Sequence, residues 1–125
     1  MILGVGIDIV EIEKLRLAMM RRGERLRNRA FTPYEIEYCE DRANKFQHYA
    51  ARFAAKEAVF KAIGSGWRDG VGWHDVEVQN ALNGRPSLVL SGKTLEFADR
   101  LGARHCWVSL SHTDEYAVAQ VVLES

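Results

Sequence analysis

The sequence lacks the long apolar runs and the charge imbalance that mark several classes of protein. No stretch reaches the ~18 uninterrupted apolar residues that a membrane span needs, so we expect no membrane association. Met1 leads directly into a strand-like run with no basic segment before it, so we expect no signal peptide. The 17 Lys and Arg residues equal the 17 Asp and Glu residues, which argues against a general nucleic-acid binder. A local basic patch remains compatible with this balance.

Cysteine is also scarce, and the usual catalytic and metal-binding motifs are missing. Cys39 and Cys106 are far apart and lack metal-ligand spacing, so we expect free thiols in a reducing cytoplasm. There is no Gly-x-Ser-x-Gly elbow, no Walker loop and no zinc spacing. The length of 125 residues, with 47 % apolar and 27 % charged residues, predicts a single globular domain over 1–125. The expected free thiols and the expected lack of a signal peptide indicate a cytoplasmic protein.

The order of the predicted elements indicates an α+β domain, with a mainly antiparallel sheet packed against a long helix. Alternation predicts strands over 2–10, 74–80, 87–90, 104–111 and 116–123, and helical periodicity predicts helices over 11–22, 33–41, 45–63 and 92–101. The sequence Thr32-Pro33-Tyr34-Glu35 is a capping box with Pro at the first helical position. The turn from His112 to Glu115 predicts an antiparallel hairpin between the last two strands.

The first strand carries a carboxylate beside two glycines. Gly4, Gly6 and Asp8 share one face, while the opposite face is apolar and consists of Leu3, Val5, Ile7 and Ile9. Glycines in a strand mark the close approach of a backbone or a ligand. Because an unpaired buried carboxylate is unfavourable, Asp8 either caps the next helix or binds a metal with room for an oxygen-rich substrate.

The helix that precedes Gly64 has a wide apolar arc made largely of alanine, which allows another backbone to approach closely. Glu57 and Lys61 lie four residues apart, and the simplest interpretation is a surface pair worth about 0.2–0.5 kcal/mol. The alternative adds Asp8 and the glycine-rich loop at 64–66. Two carboxylates from different elements, a lysine and such a loop match a site for Mg²⁺ and a diphosphate.

A run of basic residues surrounds the end of the first predicted helix. It contains Lys14, Arg16, Arg21, Arg22, Arg25, Arg27 and Arg29. A charge run is usually a solvated helix face, but in a chain of zero net charge it also suits docking to an acidic macromolecule. His112, at the end of a predicted strand, is by itself more typical of a turn than of a catalyst.

Three blocks of the sequence resemble the signatures of one family. They are Gly6-Ile7-Asp8-Ile9-Val10-Glu11-Ile12, Arg52-Phe53-Ala54-Ala55-Lys56-Glu57-Ala58 and Ser109-Leu110-Ser111-His112-Thr113. In order, spacing and total length they are similar to the holo-acyl-carrier-protein synthases, the short bacterial 4′-phosphopantetheinyl transferases. The resemblance implies the 4′-phosphopantetheinyl transferase-like fold. It implies transfer of the phosphopantetheine arm of coenzyme A to a serine of apo-acyl carrier protein in fatty acid biosynthesis. It also implies release of adenosine 3′,5′-bisphosphate and a homotrimer with sites at the subunit interfaces.

The resemblance also implies roles for particular residues. Mg²⁺ would be held by Asp8 and Glu57, with Lys61 as the third catalytic residue. Coenzyme A would be bound by Arg52, Lys56, Gly64, Ser65, Gly66, Asn83, Gly84, Arg85, Pro86, His112 and Thr113. The acidic carrier protein would dock on Lys14, Arg21, Arg22 and Arg25. The glycines beside Asp8 would leave room for a bulky ligand above the strand.

Some alternatives stay open at this stage. Glu57, Asp8 or a metal-bound water could accept the serine proton; our hypothesis is a metal-activated water with Glu57 as its orienter. A non-catalytic module that binds coenzyme A or acyl carrier protein would not need the carboxylate pair. A small nucleotide phosphatase would not need the basic docking helix.

Overall fold

The computed structural model describes residues 1–65 and 70–125. Within these residues the chain forms five strands and five α-helices, with a short 3₁₀ turn at Trp73–Asp75. The strands are β1 (Ile2–Glu11), β2 (Val76–Asn80), β3 (Pro86–Leu90), β4 (His105–His112) and β5 (Tyr116–Glu124). The helices are α1 (Ile12–Arg22), α2 (Glu24–Ala30), α3 (Pro33–Glu40), α4 (Lys45–Ile63) and α5 (Gly92–Leu101).

The predicted α+β class is confirmed, and α4 and α5 have the predicted bounds. Both helices end at a glycine in the left-handed region, Gly64 with φ 69° and Gly102 with φ 87°, as expected for a C-cap. The capping box at Thr32 and Glu35 forms both of its hydrogen bonds. The helix α2 was not predicted, because it has only seven residues and its sequence reads as part of the charged run.

All strand pairs are antiparallel. A three-stranded sheet has the order β1-β5-β4, and β2 and β3 form a separate two-stranded sheet. The helix α4 lies across one face of the larger sheet, where alanines of the helix pack against small residues of β5. This core includes Ala54, Ala55, Ala58, Val59, Ala119, Val121 and Leu123.

The two glycines of β1 allow direct contact between the strand and the backbone of α4. A Cβ at Gly6 would overlap the carbonyl oxygen of Ala58, and one at Gly4 would overlap that of Ala62. The predicted close approach is therefore confirmed, and its partner is a helix. The interpretation that these glycines clear space for a ligand is wrong, because α4 fills that space.

The opposite face of the larger sheet is apolar and exposed. Val5, Ile7 and Ile9 have exposed fractions of 51 %, 58 % and 62 %, and Trp107 and Tyr116 are also exposed there. We call these five residues the outer sheet face. Leu3 was predicted on the same face, but a register shift between Ile2 and Gly4 lets it pack against the core.

None of the helices in the described residues is long and apolar enough to cross a lipid bilayer.

Candidate active site

The carboxylate of Asp8 forms an ion pair with Lys61. Asp8 lies on the side of β1 that faces α4, and Lys61 lies in the last turn of that helix. The Lys61 ammonium donates to Asp8 Oδ1 at 2.8 Å and to the Ile7 carbonyl at 3.0 Å. Asp8 does not cap α1, whose N-cap residue is Glu11 without a side-chain cap bond. The interpretation of Asp8 as a helix cap is therefore wrong. The interpretation of Lys61 as the partner of Glu57 in a surface pair is also wrong, because Lys61 pairs with Asp8 across two elements.

Glu57 lies one helical turn before Lys61 and is half-buried. Burial raises the pKa of Glu57, the negative charge of Asp8 raises it further, and the Trp73 side chain and Lys61 oppose both effects. The two carboxylates are therefore close enough to repel each other. A divalent cation between them would relieve this repulsion.

The carboxylate pair fits a magnesium ion that is completed by a substrate. Mg²⁺ prefers one or two carboxylates together with waters and phosphate oxygens. In residues 1–65 and 70–125 no group of three or more His, Cys, Asp or Glu side chains could hold a metal alone. Asp8 and Glu57 would thus supply part of the coordination, and the remaining ligands would come from water and phosphate.

A cavity of about 450 Å³ lies between α3, α4, the β2–β3 turn and β4. Five residues predicted to bind coenzyme A line it, from three separate stretches of sequence: Arg52, Gly84, Arg85, Pro86 and His112. Among the described residues no Asp or Glu contributes to its wall. We call this cavity the basic pocket, and its charge suits an anionic ligand.

Arg52 is the most buried cation of the basic pocket. Its Nη1 donates to the His48 carbonyl at 3.2 Å and its Nη2 donates to Asn80 Oδ1 at 2.6 Å, while only 2 % of the residue is exposed. His48 and Asn80 also line the pocket, as does Tyr38. Sequence reasoning missed all three. For His48 a signal existed, because it lies four residues before Arg52 on the same edge of α4.

The β2–β3 turn presents three of its predicted residues to the pocket and uses the fourth for its own shape. Asn83 Oδ1 accepts a hydrogen bond from the Arg85 amide at 3.0 Å, and Gly84 adopts φ 87°, which favours glycine. Asn80 Nδ2 donates to the Gly84 carbonyl at 3.0 Å. The Asn83 side chain therefore orders the turn that carries Arg85 and Pro86.

Lys56 is placed differently from the prediction. Its ammonium is fully buried and donates to Glu35 Oε1 at 2.7 Å, to the Trp73 carbonyl at 3.0 Å and to the Val76 carbonyl. Burial lowers the pKa of Lys56, and the negative charge of Glu35 opposes this effect. All three donors are used inside the protein, so a phosphate contact is not compatible with this position. Lys56 instead joins α4 to α3 and β2.

The loop after α4 uses its first amides to close the helix. The Gly64 amide donates to the Lys61 carbonyl at 3.2 Å, and the Ser65 amide donates to the Phe60 carbonyl at 3.1 Å. These two donors are therefore not free to cradle a phosphate. Gly66, the third predicted residue, lies outside the described residues.

The two residues predicted in the β4–β5 hairpin, His112 and Thr113, have different surroundings. His112 is exposed at the end of β4 and lines the basic pocket. The Thr113 hydroxyl accepts hydrogen bonds from the amides of Glu115 and Tyr116, at 3.2 and 3.0 Å, and so orders the turn. A phosphate contact of Thr113 stays a prediction.

The predicted docking residues Lys14, Arg21, Arg22 and Arg25 are all exposed. Lys14 and Asp8 line the same cavity of about 460 Å³ between β1, α1 and α4, together with Phe53 and Tyr116. The three arginines line a second cavity of about 480 Å³ that also includes Trp73. The basic surface of α1 therefore begins beside the carboxylate.

Comparisons with known proteins give one consistent result. The family model described as the 4′-phosphopantetheinyl transferase superfamily matches residues 4–121. A holo-[acyl-carrier-protein] synthase of Koribacter versatilis is 52 % identical over 124 residues, which covers 99 % of each chain. One from Geobacter sulfurreducens is 53 % identical over 124 residues, covering 99 % of this chain and 98 % of its own.

Solved structures of proteins with that name share the fold. The synthase of Neisseria meningitidis has a TM-score of 0.90 and 28 % identity, with 100 % of each chain covered. The synthase of Helicobacter pylori, solved in complex with coenzyme A, has a TM-score of 0.84 and 30 % identity over 96 % of this chain and 99 % of that chain. The one from Bacillus anthracis, in complex with CoA (3′,5′-ADP), has a TM-score of 0.82 and 35 % identity, covering 100 % of this chain and 98 % of that chain.

Proposed function

Because the chain belongs to the holo-[acyl-carrier-protein] synthases of the 4′-phosphopantetheinyl transferase superfamily, we propose that it transfers the 4′-phosphopantetheine group of coenzyme A to a serine of apo-acyl carrier protein. The second product is adenosine 3′,5′-bisphosphate. The observation that carries the proposal is the pair of carboxylates Asp8 and Glu57, whose negative charges interact, with Lys61 bound to Asp8 and Lys14 lining the same cavity as Asp8. A module that only binds coenzyme A would have no use for two repelling carboxylates.

Asp8 and Glu57 are the residues that would hold Mg²⁺. Bound there with the diphosphate of coenzyme A, the ion would neutralise charge that develops on the leaving phosphate. Burial and the negative charge of Asp8 both raise the pKa of Glu57, and this supports the assignment because the single charge of Lys61, which pairs with Asp8, does not neutralise two carboxylates.

Lys61 would act on the same diphosphate. Its side chain is 56 % exposed, so the ammonium can turn from Asp8 towards a phosphate without leaving a buried site. A positive charge next to the leaving group stabilises the transition state more than the ground state, because negative charge develops there during the reaction. Glu57, whose charge interacts with those of Asp8 and Lys61, would orient the water that takes the proton of the attacking serine.

The basic pocket would receive the nucleotide. Arg52 and Arg85 supply its positive charge, His112 offers ring nitrogens as hydrogen-bonding groups, and Pro86 supplies apolar surface for a base. The exposed residues Lys14, Arg21, Arg22 and Arg25 would dock the acidic carrier protein, since complementary charge steers association and fixes orientation. Lys14 is close enough to Asp8 to line the same cavity, which would bring a docked serine near the carboxylates.

We further propose that the protein is a homotrimer with sites at the subunit interfaces. The outer sheet face supports this, because three exposed aliphatic side chains on one strand form the kind of surface that another subunit usually covers. Light scattering should give three times the chain mass of 14.2 kDa, and Ile7→Glu should reduce it to the mass of one chain. A native monomer would contradict the proposal.

We also propose that the protein acts in fatty acid biosynthesis in the cytoplasm. One observation is in keeping with the cytoplasmic location. Cys39 and Cys106 are free thiols, and reducing compartments preserve them.

The central experiment is intact-mass spectrometry of apo-acyl carrier protein after incubation with this protein, coenzyme A and Mg²⁺. The expected result is a mass gain of one phosphopantetheine group, which EDTA or Asp8→Asn abolishes. The control is Asp41→Asn, an exposed aspartate just after α3. A mass gain that persists with both EDTA and Asp8→Asn would refute the metal site. Binding of coenzyme A without any gain would show a binding module.

A further inference from the structure

Tyr38, in α3, lies against two guanidinium groups at once. Arg42 Cζ is 3.3 Å from the centroid of the Tyr38 ring, and Arg52 Cζ is 4.1 Å from it. Arg42 Nη1 also donates to the Tyr38 carbonyl at 2.6 Å, so Arg42 holds both the backbone and the ring of Tyr38. Guanidinium groups are attracted to the face of an aromatic ring, most strongly where water is excluded.

Arg52 needs this support, because it is a buried cation without an ion pair in the described part of the chain. Its two terminal nitrogens bind neutral oxygens, of His48 and Asn80, and its Nε has no partner among the described atoms. A buried charge that lacks a counterion is unfavourable. The ring of Tyr38 is the group that compensates for part of this and fixes the plane of the guanidinium.

The surroundings of Arg52 contain the guanidinium of Arg42 and the imidazole of His48. The His48 ring lies edge-on to Tyr38, with centroids 5.7 Å apart. Burial lowers the pKa of His48, and the charges of Arg52, Arg42 and His112 lower it further. His48, Arg52 and His112 line the basic pocket, and Arg42 lies on the ring of Tyr38 beside it. No carboxylate of the described residues lines that pocket. The cluster is thus arranged for an incoming anion.

We propose that Tyr38 is a positioning residue, which holds the Arg52 guanidinium in the basic pocket where it meets a phosphate of the nucleotide. This inference rests on the proposed function for the identity of the ligand, a phosphorylated adenosine. Tyr38 itself contacts no reacting atom. Its effect is on the affinity for coenzyme A and not on the rate of transfer.

The test compares Tyr38→Leu with Tyr38→Phe and with Tyr34→Leu. Tyr34 lies on the same helix but is exposed and does not line the pocket. For Tyr38→Leu we expect the KM for coenzyme A and the Kd for adenosine 3′,5′-bisphosphate, measured by calorimetry, to rise about 5- to 30-fold. The kcat and the KM for the carrier protein should stay within about twofold of native. Tyr38→Phe keeps the ring face and should restore the affinity, and Tyr34→Leu should match the native protein.

Three outcomes would overturn the inference. They are an unchanged affinity in Tyr38→Leu, an equal loss in Tyr38→Phe, and a fall in kcat with the KM unchanged. If Tyr38→Leu does not fold, Arg42→Gln replaces it. This variant removes the guanidinium that holds Tyr38, so it should also weaken binding of adenosine 3′,5′-bisphosphate while kcat is retained. Native protein that neither binds adenosine 3′,5′-bisphosphate nor modifies the carrier would instead refute the proposed function, so the two failures are distinguishable.

Discussion

Replacement of Lys56 by methionine should strongly destabilise the fold, because it breaks a fully buried ion pair. The change leaves the Glu35 carboxylate with only the amides of Thr32 and Val78, at 2.9 and 2.7 Å. It also removes the donor to the carbonyls of Trp73 and Val76. Loss of one member of a buried pair costs about 3–5 kcal/mol. This is a large part of the roughly 5–15 kcal/mol by which a native domain is stable.

The chain offers a matched control on the same helix. Lys45 also pairs with a glutamate of α3, Glu40, at 3.2 Å, but both side chains are more than one-third exposed. Exposed pairs contribute about 0–1 kcal/mol, so Lys45→Met should change stability little. The measurement is the free energy of unfolding of both variants from urea titrations, followed by circular dichroism.

The double variant Lys56→Met with Glu35→Met tests the cause of the loss. If the uncompensated carboxylate dominates, removal of Glu35 as well should recover part of the stability that Lys56→Met loses. Equal stability of Lys56→Met and Lys45→Met would refute the reasoning. The reasoning would also be refuted if the double variant lost more stability than Lys56→Met and Glu35→Met lose in sum.

Two further predictions concern the strand–helix contact and the reaction. Gly6→Ala should reduce the free energy of unfolding by about 2–3 kcal/mol or more, because its Cβ would overlap the backbone of α4. Gly72→Ala should be nearly neutral, because no atom of the described residues other than its chain neighbours lies within 4 Å of the new Cβ. Similar urea midpoints for the two variants would contradict this. Lys61→Gln should lower kcat by about 100-fold with little change in the KM for coenzyme A, because it removes a charge that acts on the leaving group. Steady-state kinetics measures both, and an unchanged kcat would exclude Lys61 from the reaction.

Local signals in the sequence predicted much of the fold. The glycines after α4 and α5, the capping box at Thr32 and the alternation of the strands each depend on residues within one or two turns. The glycine and alanine patterns also predicted a close backbone contact, although they could not distinguish a helix from a ligand as the partner. Glycine removes steric bulk in either case, and only the tertiary structure shows what fills the space.

The candidate site was harder to predict because its contacts join distant parts of the chain. Asp8 and Lys61 are 53 residues apart in sequence, and Arg52 and Asn80 are 28 apart. Lys56 and Glu57 are neighbours in sequence, yet the first is fully buried and the second is only half-buried. Residue type alone does not separate a lysine that binds phosphate from one that pairs in the core, because burial depends on which elements pack against that edge of the helix.

The helix α4 carries both ends of the proposed ligand site, so it fixes how far apart they are. Arg52 in the basic pocket and Lys61 beside Asp8 are nine residues apart, which corresponds to about 13 Å along a straight helix axis. A ligand must bridge that span to engage both ends, so a nucleotide fragment or a diphosphate alone would reach only one. Insertion of a single residue between them would rotate one end by about 100° relative to the other. The two ends could then no longer bind the two halves of one ligand at the same time.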